Sequence, residues 1–125
     1  MKIGFTASSF DLLHAGHILM LKEAKENCDY LIVGFNVNPE NKSVIQSVYE
    51  RYVQLEAVKY IDKIIPYSTE QDLLKLIQTQ QIDIRFLGDD YKNKPFTGDK
   101  INVEIYFISR EHGFSSTELK QRCTN

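Results

Sequence analysis

At 125 residues and 14.5 kDa the chain has enough material for one compact domain, residues 1–125, and too little for two. Apolar residues make up 42% and charged residues 26%, the balance of a soluble globular protein, and no apolar run reaches the roughly 18 residues needed to span a bilayer. Lys and Arg number 15 against 17 Asp and Glu, a formal net charge of -2, which argues against a nucleic-acid coat or a membrane-surface binder and leaves room for a local anion site.

Residues 2–7 read as a short strand, entered from Met1 with no signal-peptide layout. Residues 15–27 read as a helix, with Ile18, Leu21, Ala24 and Lys25 at helical spacing. The unbroken apolar run 29–35 predicts a strand buried on both faces. A polar stretch from Asn36 to Gln46, interrupted by Pro39, leads to a second helix over 47–60, its apolar positions being Val48, Tyr52, Leu55, Ala57 and Val58. A short strand over 62–66 ends at Pro66, and a third helix over 69–79 is capped by Ser68 or Thr69. Residues 82–87 form a strand, 88–101 are turn-rich, 103–108 form the last strand, and a short helix starts near Ser116. Two cysteines, Cys28 and Cys123, are too few for a disulfide scaffold and read as reduced thiols of a cytoplasmic protein.

Strand–helix alternation with these connection lengths implies an α/β fold: a single Rossmann-like, doubly wound domain with a five-stranded, mostly parallel sheet. Such sheets bind ligands outside the carboxyl ends of their strands, at the point where the strand order reverses. The segments just after the strands are 8–17, 36–46, 88–98 and 109–117, and the unusual residues fall there.

The segment from Ser8 to His17 carries two of the three histidines, His14 and His17, with Gly16 between them, at a strand-to-helix turn. A helix N-terminus there offers unpaired N–H groups and the positive end of its dipole, and a glycine lets a phosphate approach the backbone. Two imidazoles beside it can donate to phosphoryl oxygens as charge develops. No third His, Cys or carboxylate completes a zinc set at standard spacing, so no protein-held metal is expected.

The string Phe10-Asp11-Leu12-Leu13-His14-Ala15-Gly16-His17 resembles the HxGH signature of the nucleotidyltransferase superfamily, and its cytidylyltransferase branch in particular. Arg110-Glu111-His112-Gly113-Phe114-Ser115-Ser116-Thr117 resembles the RTEGISTT motif of glycerol-3-phosphate cytidylyltransferases. The two motifs lie at opposite ends of the chain, so the resemblance covers nearly all of it. Arg110 can fork to phosphate oxygens or a base carbonyl, Gly113 permits a sharp turn, and Ser115, Ser116 and Thr117 would cap the last helix and face a triphosphate.

The resemblance implies further roles. His14, His17, Lys42 and Arg110 would be catalytic. Ser8, Ser9, Phe10 and Gly16, with those four and Ser115 to Thr117, would surround the nucleotide. Gly88-Asp89-Asp90-Tyr91 matches a segment that places Gly88 and Asp90 near the cytidine. Arg51 and Lys59 match basic positions of the family and, with Asp11, would serve the acceptor, although the position of Asp11 also suits pinning the loop through backbone N–H groups. Mg²⁺ would accompany the nucleotide, and the family's assembly implies a homodimer built on the flank of the first motif and the second helix.

The implied reaction is attack by an acceptor phosphate on the α-phosphorus of CTP, with pyrophosphate leaving. Glycerol 3-phosphate is the leading acceptor. Phosphocholine, phosphoethanolamine, a sugar phosphate, ATP in place of CTP, and a non-catalytic nucleotide-binding domain stay open. Several departures bear on that choice. Ser8 stands where the family commonly has glycine, Ala15 replaces an aromatic, Asn38 replaces an aspartate, Glu40 takes a lysine position, and Glu111-His112 replaces Thr-Glu.

Overall fold

The computed structural model describes residues 1–39, 43–109 and 112–124. Runs rich in Ile, Val, Phe and Tyr form the strands β1 (Ile3–Ser8), β2 (Tyr30–Asn36), β3 (Lys63–Tyr67), β4 (Ile84–Gly88) and β5 (Glu104–Ile108). They make one sheet in the order β3-β2-β1-β4-β5. Every pairing is parallel, so the sheet is wholly rather than mostly parallel.

β2 is apolar from Tyr30 to Phe35 because both its faces are covered. Leu31, Val33 and Phe35 join one core cluster and Ile32 joins the other. The first cluster receives Leu21 and Ala24 from α1 (Ala15–Glu26) and Leu55 from α2 (Val48–Glu56). The second receives Leu73 and Ile77 from α3 (Glu70–Thr79). Each of these leucines and Ile77, fully buried, contributes about 1.5–3 kcal/mol of apolar transfer, and the Ala24 methyl about 0.8 kcal/mol. Helices on both faces make the sheet doubly wound, and α4 (Ser116–Cys123) follows β5.

From β1 the chain winds outward through β2 and β3, then returns to β4 on the other side of β1. The order reverses between β1 and β4. Their carboxyl ends therefore flank the crevice where a ligand belongs.

The predicted elements are all present, with ends displaced by a residue or two. The second helix differs most. It stops at Glu56 rather than residue 60, after which Ala57 N–H and Val58 N–H close tight turns onto the carbonyls of Gln54 and Leu55. Its inner face is also different. Leu55 is buried as expected and Val58 half-buried, but Val48, Tyr52 and Ala57 are exposed and Arg51 is buried in their place. Thr69, not Ser68, caps α3, its hydroxyl accepting from Asp72 N–H at 3.1 Å. β3 continues through Pro66 to Tyr67, which an edge strand tolerates.

Candidate active site

The site begins with the loop between β1 and α1. Phe10 and Leu12 have φ of +53° and +52°, a left-handed backbone that non-glycine residues seldom adopt. Several bonds hold that conformation. The Asp11 carboxylate accepts from Ile45 N–H and Gln46 N–H, each at 2.9 Å. The Gln46 side-chain oxygen accepts in return from Leu12 N–H at 2.7 Å. Phe10 is 1% exposed and sits in the core. A strained loop persists where its surroundings over-determine it, as here. Burial would raise the Asp11 carboxyl, but the N–H groups of Gln46 and Ile45, with Lys120 and Arg51 nearby, outweigh it and hold it below its ordinary value.

Arg51 supports the same loop from beneath. It is 1% exposed, and its guanidinium donates through Nη1 to the carbonyls of Ser9 at 3.0 Å and Asn36 at 2.9 Å. Nη2 lies 3.4 Å from the Val37 carbonyl, and the Phe35 ring lies 5.0 Å from the guanidinium carbon. The sequence expectation of an acceptor ligand is corrected at this position. Arg51 clamps the ends of β1 and β2 and faces inward, because three carbonyls at the strand ends need donors.

At the start of α1 the two histidines cap the helix together. Gly16 N–H donates to His14 Nδ1 at 3.0 Å, and His14 N–H donates to His17 Nδ1 at 3.1 Å. Their rings lie 4.0 Å apart, centroid to centroid. Because each Nδ1 accepts, the proton of each neutral ring sits on Nε2. The cap thus fixes both tautomers and both ring orientations, and Gly16 is buried against the His14 ring, where a Cβ would lie 2.8 Å from Cε1.

The second motif reaches the same place from the other end of the chain. The Ser116 hydroxyl lies 3.4 Å from the Asp11 carbonyl, which ties the start of α4 to the loop. Ser115 caps α4 by accepting from Glu118 N–H at 3.0 Å. Thr117 is exposed in the first turn. His112 also arrives here, with its Cε1 3.1 Å from the position of a Cβ on Gly16. Gly113, with φ of +71°, permits the turn between them.

Of the remaining candidates, Ser8 ends β1 half-buried, and Ser9 is buried with its carbonyl taken by Arg51. Gly88 ends β4, and Asp90 is exposed in the 3-10 turn that follows, on the crevice side of the sheet. Lys59 lies elsewhere. It follows the carboxyl end of α2 and precedes β3, at the opposite end of the strands from the crevice, with its ammonium 5.3 Å from the Tyr60 ring. Within one chain it therefore does not join the acceptor site. Lys42 and Arg110, like Glu40 and Glu111, lie outside the described residues.

A crevice at the switch point, a helix N-terminus and two tautomer-fixed imidazoles make a receptor for a phosphate chain. The family model for cytidylyltransferase-like proteins matches residues 5–122. The chain belongs to that family. It is 34% identical over 125 residues to the glycerol-3-phosphate cytidylyltransferase of Bacillus subtilis strain 168, covering 97% of this chain and 96% of that protein. It is also 34% identical over 127 residues to the bifunctional protein HldE of Campylobacter jejuni subsp. doylei, a match covering 97% of this chain and 27% of that one. Among solved structures, the lipopolysaccharide core biosynthesis protein from Thermoplasma volcanium resembles it with a TM-score of 0.69 at 26% identity, over 87% of this chain and 95% of that chain. This cytidylyltransferase-like chain is a nucleotidyltransferase.

Among the described residues of this cytidylyltransferase-like chain no three His, Cys, Asp or Glu side chains are grouped to hold a metal ion. The Asp11 carboxylate is engaged by backbone N–H groups. Among the described residues no helix is long and apolar enough to cross a membrane. Gln46 and His112 join the site without a signature in the sequence. Gln46 carries no local signal. His112 was visible only as a departure from the second motif, and its approach to Gly16 depends on the packing of α4.

Proposed function

We propose that the protein transfers CMP from CTP to a small phosphorylated alcohol, glycerol 3-phosphate foremost, giving CDP-glycerol and pyrophosphate. The observation that carries this reading is the interlocked pair His14 and His17, whose Nε2–H donors stand at the N-terminus of α1. The likeness to a glycerol-3-phosphate cytidylyltransferase over nearly all of both chains supports the choice of substrates.

In this reading an oxygen of the acceptor phosphate attacks the α-phosphorus, a new P–O bond forms, and the bond from Pα to the bridging oxygen of pyrophosphate breaks. No covalent intermediate on the protein is needed. Catalysis is positioning and charge stabilisation. His14 and His17 donate to phosphoryl oxygens whose charge grows in the transition state, and they reorganise little because their other nitrogens are already fixed by the helix cap. The positive dipole ends of α1 and α4, whose starts are tied together through Ser116 and Asp11, would favour the same anion. Lys42 and Arg110 would neutralise the remaining charge. Mg²⁺ would arrive bound to the triphosphate, which suits an ion that keeps most of its water and takes few protein ligands. Asp90, at the end of β4, would meet the cytidine.

A phosphorylated sugar is the second reading for the acceptor, favoured by the likeness to the lipopolysaccharide core biosynthesis protein. We further propose a cytoplasmic homodimer joined through the outer face of α2, where Val48, Tyr49, Tyr52 and Val53 are all exposed.

The test is pyrophosphate release with Mg²⁺, using CTP and ATP against glycerol 3-phosphate and a panel of phosphorylated alcohols and sugars. Release with CTP and glycerol 3-phosphate is expected. Release only with a sugar phosphate moves the acceptor. CTP binding without release for any acceptor on the panel overturns glycerol 3-phosphate as the acceptor.

A further inference from the structure

All three histidines of the chain converge at the start of α1, and the third has no assigned task. His112 Cε1 lies 3.1 Å from where a Cβ on Gly16 would stand, and the His14 ring borders the same point at 2.8 Å. The imidazoles of His14 and His112 therefore enclose the side of Gly16 where a Cβ would stand, at the first turn of the helix. His112 is half-buried, and its ring stacks on Phe114 with 5.3 Å between centroids and 14° between planes.

Its hydrogen bonding repeats that of the other two. Phe114 N–H donates to His112 Nδ1 at 2.9 Å. The neutral ring must then carry its proton on Nε2, as His14 and His17 do. Three imidazoles each use Nδ1 to accept a backbone N–H, which puts the proton of each neutral ring on Nε2. A histidine recruited only to shape the turn at Gly113 would not need to stand against Gly16.

We propose that His112 is a third phosphate-binding imidazole of this site, donating its Nε2–H to the triphosphate of the incoming nucleotide. The assignment rests on the functional reading above and adds a ligand to it.

Two isosteres separate binding from turn-making. His112→Asn places an amide oxygen near the Nδ1 position, so it keeps the bond from Phe114 N–H and loses the phosphate donor. His112→Gln places an amide N–H near the Nε2 position and loses the turn bond. Calorimetric titration of wild type and both variants with Mg²⁺ and CTP is expected to raise Kd about tenfold in the Asn variant and to leave the Gln variant near wild type. In turnover assays the KM for CTP should rise in the Asn variant while the KM for the acceptor stays unchanged.

The reverse order, with Gln weak and Asn normal, would make His112 a turn residue and overturn the assignment. An Asn variant that binds CTP more tightly would show that the ring obstructs the site, and overturns it equally. A wild-type protein that does not bind CTP defeats the functional reading and this assignment together. Wild-type binding with an unaffected Asn variant defeats this assignment alone.

Discussion

Asp11 and Gln46 hold each other in both directions: the carboxylate of Asp11 accepts from Gln46 N–H at 2.9 Å, and the Gln46 side chain accepts from Leu12 N–H at 2.7 Å. The exchange joins the loop after β1 to the segment leading into α2, across a sequence separation of 35. It fixes Leu12 in its left-handed conformation two residues before His14. Asp11 thus acts on the site by positioning. Asp11→Ala should lower stability by about 1–2 kcal/mol, since two charge-assisted bonds are lost at a partly exposed position. It should also weaken CTP binding, because the loop that presents His14 loses its brace. Urea unfolding and calorimetry measure the two effects. Unchanged stability with weakened binding would instead make Asp11 a direct ligand.

Arg51 presents a sharper case, because its partners are buried. Removing the guanidinium leaves the carbonyls of Ser9 and Asn36 without donors in the interior. Each unsatisfied carbonyl costs about 1–3 kcal/mol. Arg51→Met should therefore destabilise the protein by about 3 kcal/mol or more. Arg51→Lys should recover part of this, as an ammonium can reach one carbonyl but cannot reproduce the fork. Urea midpoints decide the matter, and a Met variant as stable as wild type would remove the clamp.

These two residues show what the sequence makes legible. The strand-like runs and helical spacings marked every element, since periodicity reports burial directly. The histidine motif was readable because its chemistry is local, a turn and a helix start within a few residues. Arg51 and Asp11 were visible as charged residues, but whether a charge faces solvent or backbone depends on what packs over it. Val48 and Tyr52 fit an inner helical face with Leu55, yet it is Arg51 that joins Leu55 there. His112 and Gly16 meet only through the placement of α4, which no local pattern encodes.

His17 separates chemistry from capping. In His17→Asn the amide oxygen can still accept from His14 N–H, which keeps the cap, while the Nε2–H donor is gone. Turnover should fall by a factor of about a hundred or more, the usual loss for one preorganised donor to a developing charge. Thermal unfolding should stay near that of wild type. His17→Ala should show the same kinetic loss and also lose about 1 kcal/mol of stability with the cap. A folded Asn variant that turns over normally would remove His17 from the mechanism.

The response to acid follows from four carboxylates. Glu50 and Asp72 are held low by their capping partners, Glu50 by Ser47 and Asp72 by Thr69. For Asp11 and Asp62 burial acts upward, but for Asp62 the Lys25 ammonium and the Leu31 N–H outweigh it, as backbone N–H groups do for Asp11. Each folded pKa lies below the ordinary value of 3.8 for the aspartates and 4.5 for the glutamate. The folded state binds these protons less tightly than the unfolded chain. The stabilisation is therefore complete above those ordinary values and is lost as pH falls through the lower folded ones. Urea midpoints should drop as pH is taken from 7 to about 3. Asp62→Asn should drop less over that range, and an identical drop would exclude Asp62 from the effect.

The outer face of α2 yields the last prediction. Tyr49 is 76% exposed and Ile45, just before the helix, is 63% exposed, with Val48 and Val53 at 44%. With Tyr52 they make an exposed apolar patch in which Tyr49 and Val53 point away from the face that carries Arg51. Such a patch, rich in tyrosine and aliphatic groups, has the make-up of an interface core. If two copies meet there, sedimentation of the wild type gives twice the chain mass, and Tyr49→Lys gives the mass of one chain. The substitution should leave the unfolding of the isolated chain unaffected, because the ring makes little use of the core. A wild type that sediments as one chain at micromolar concentration would leave this face for some other partner. The inner and outer faces of α2 would be linked in a dimer: ordering the helix from outside would also steady Arg51, and with it the carbonyls of Ser9 and Asn36. CTP affinity in Tyr49→Lys should accordingly fall along with the dimer, and affinity that does not change on dissociation would show that each chain holds its loop unaided.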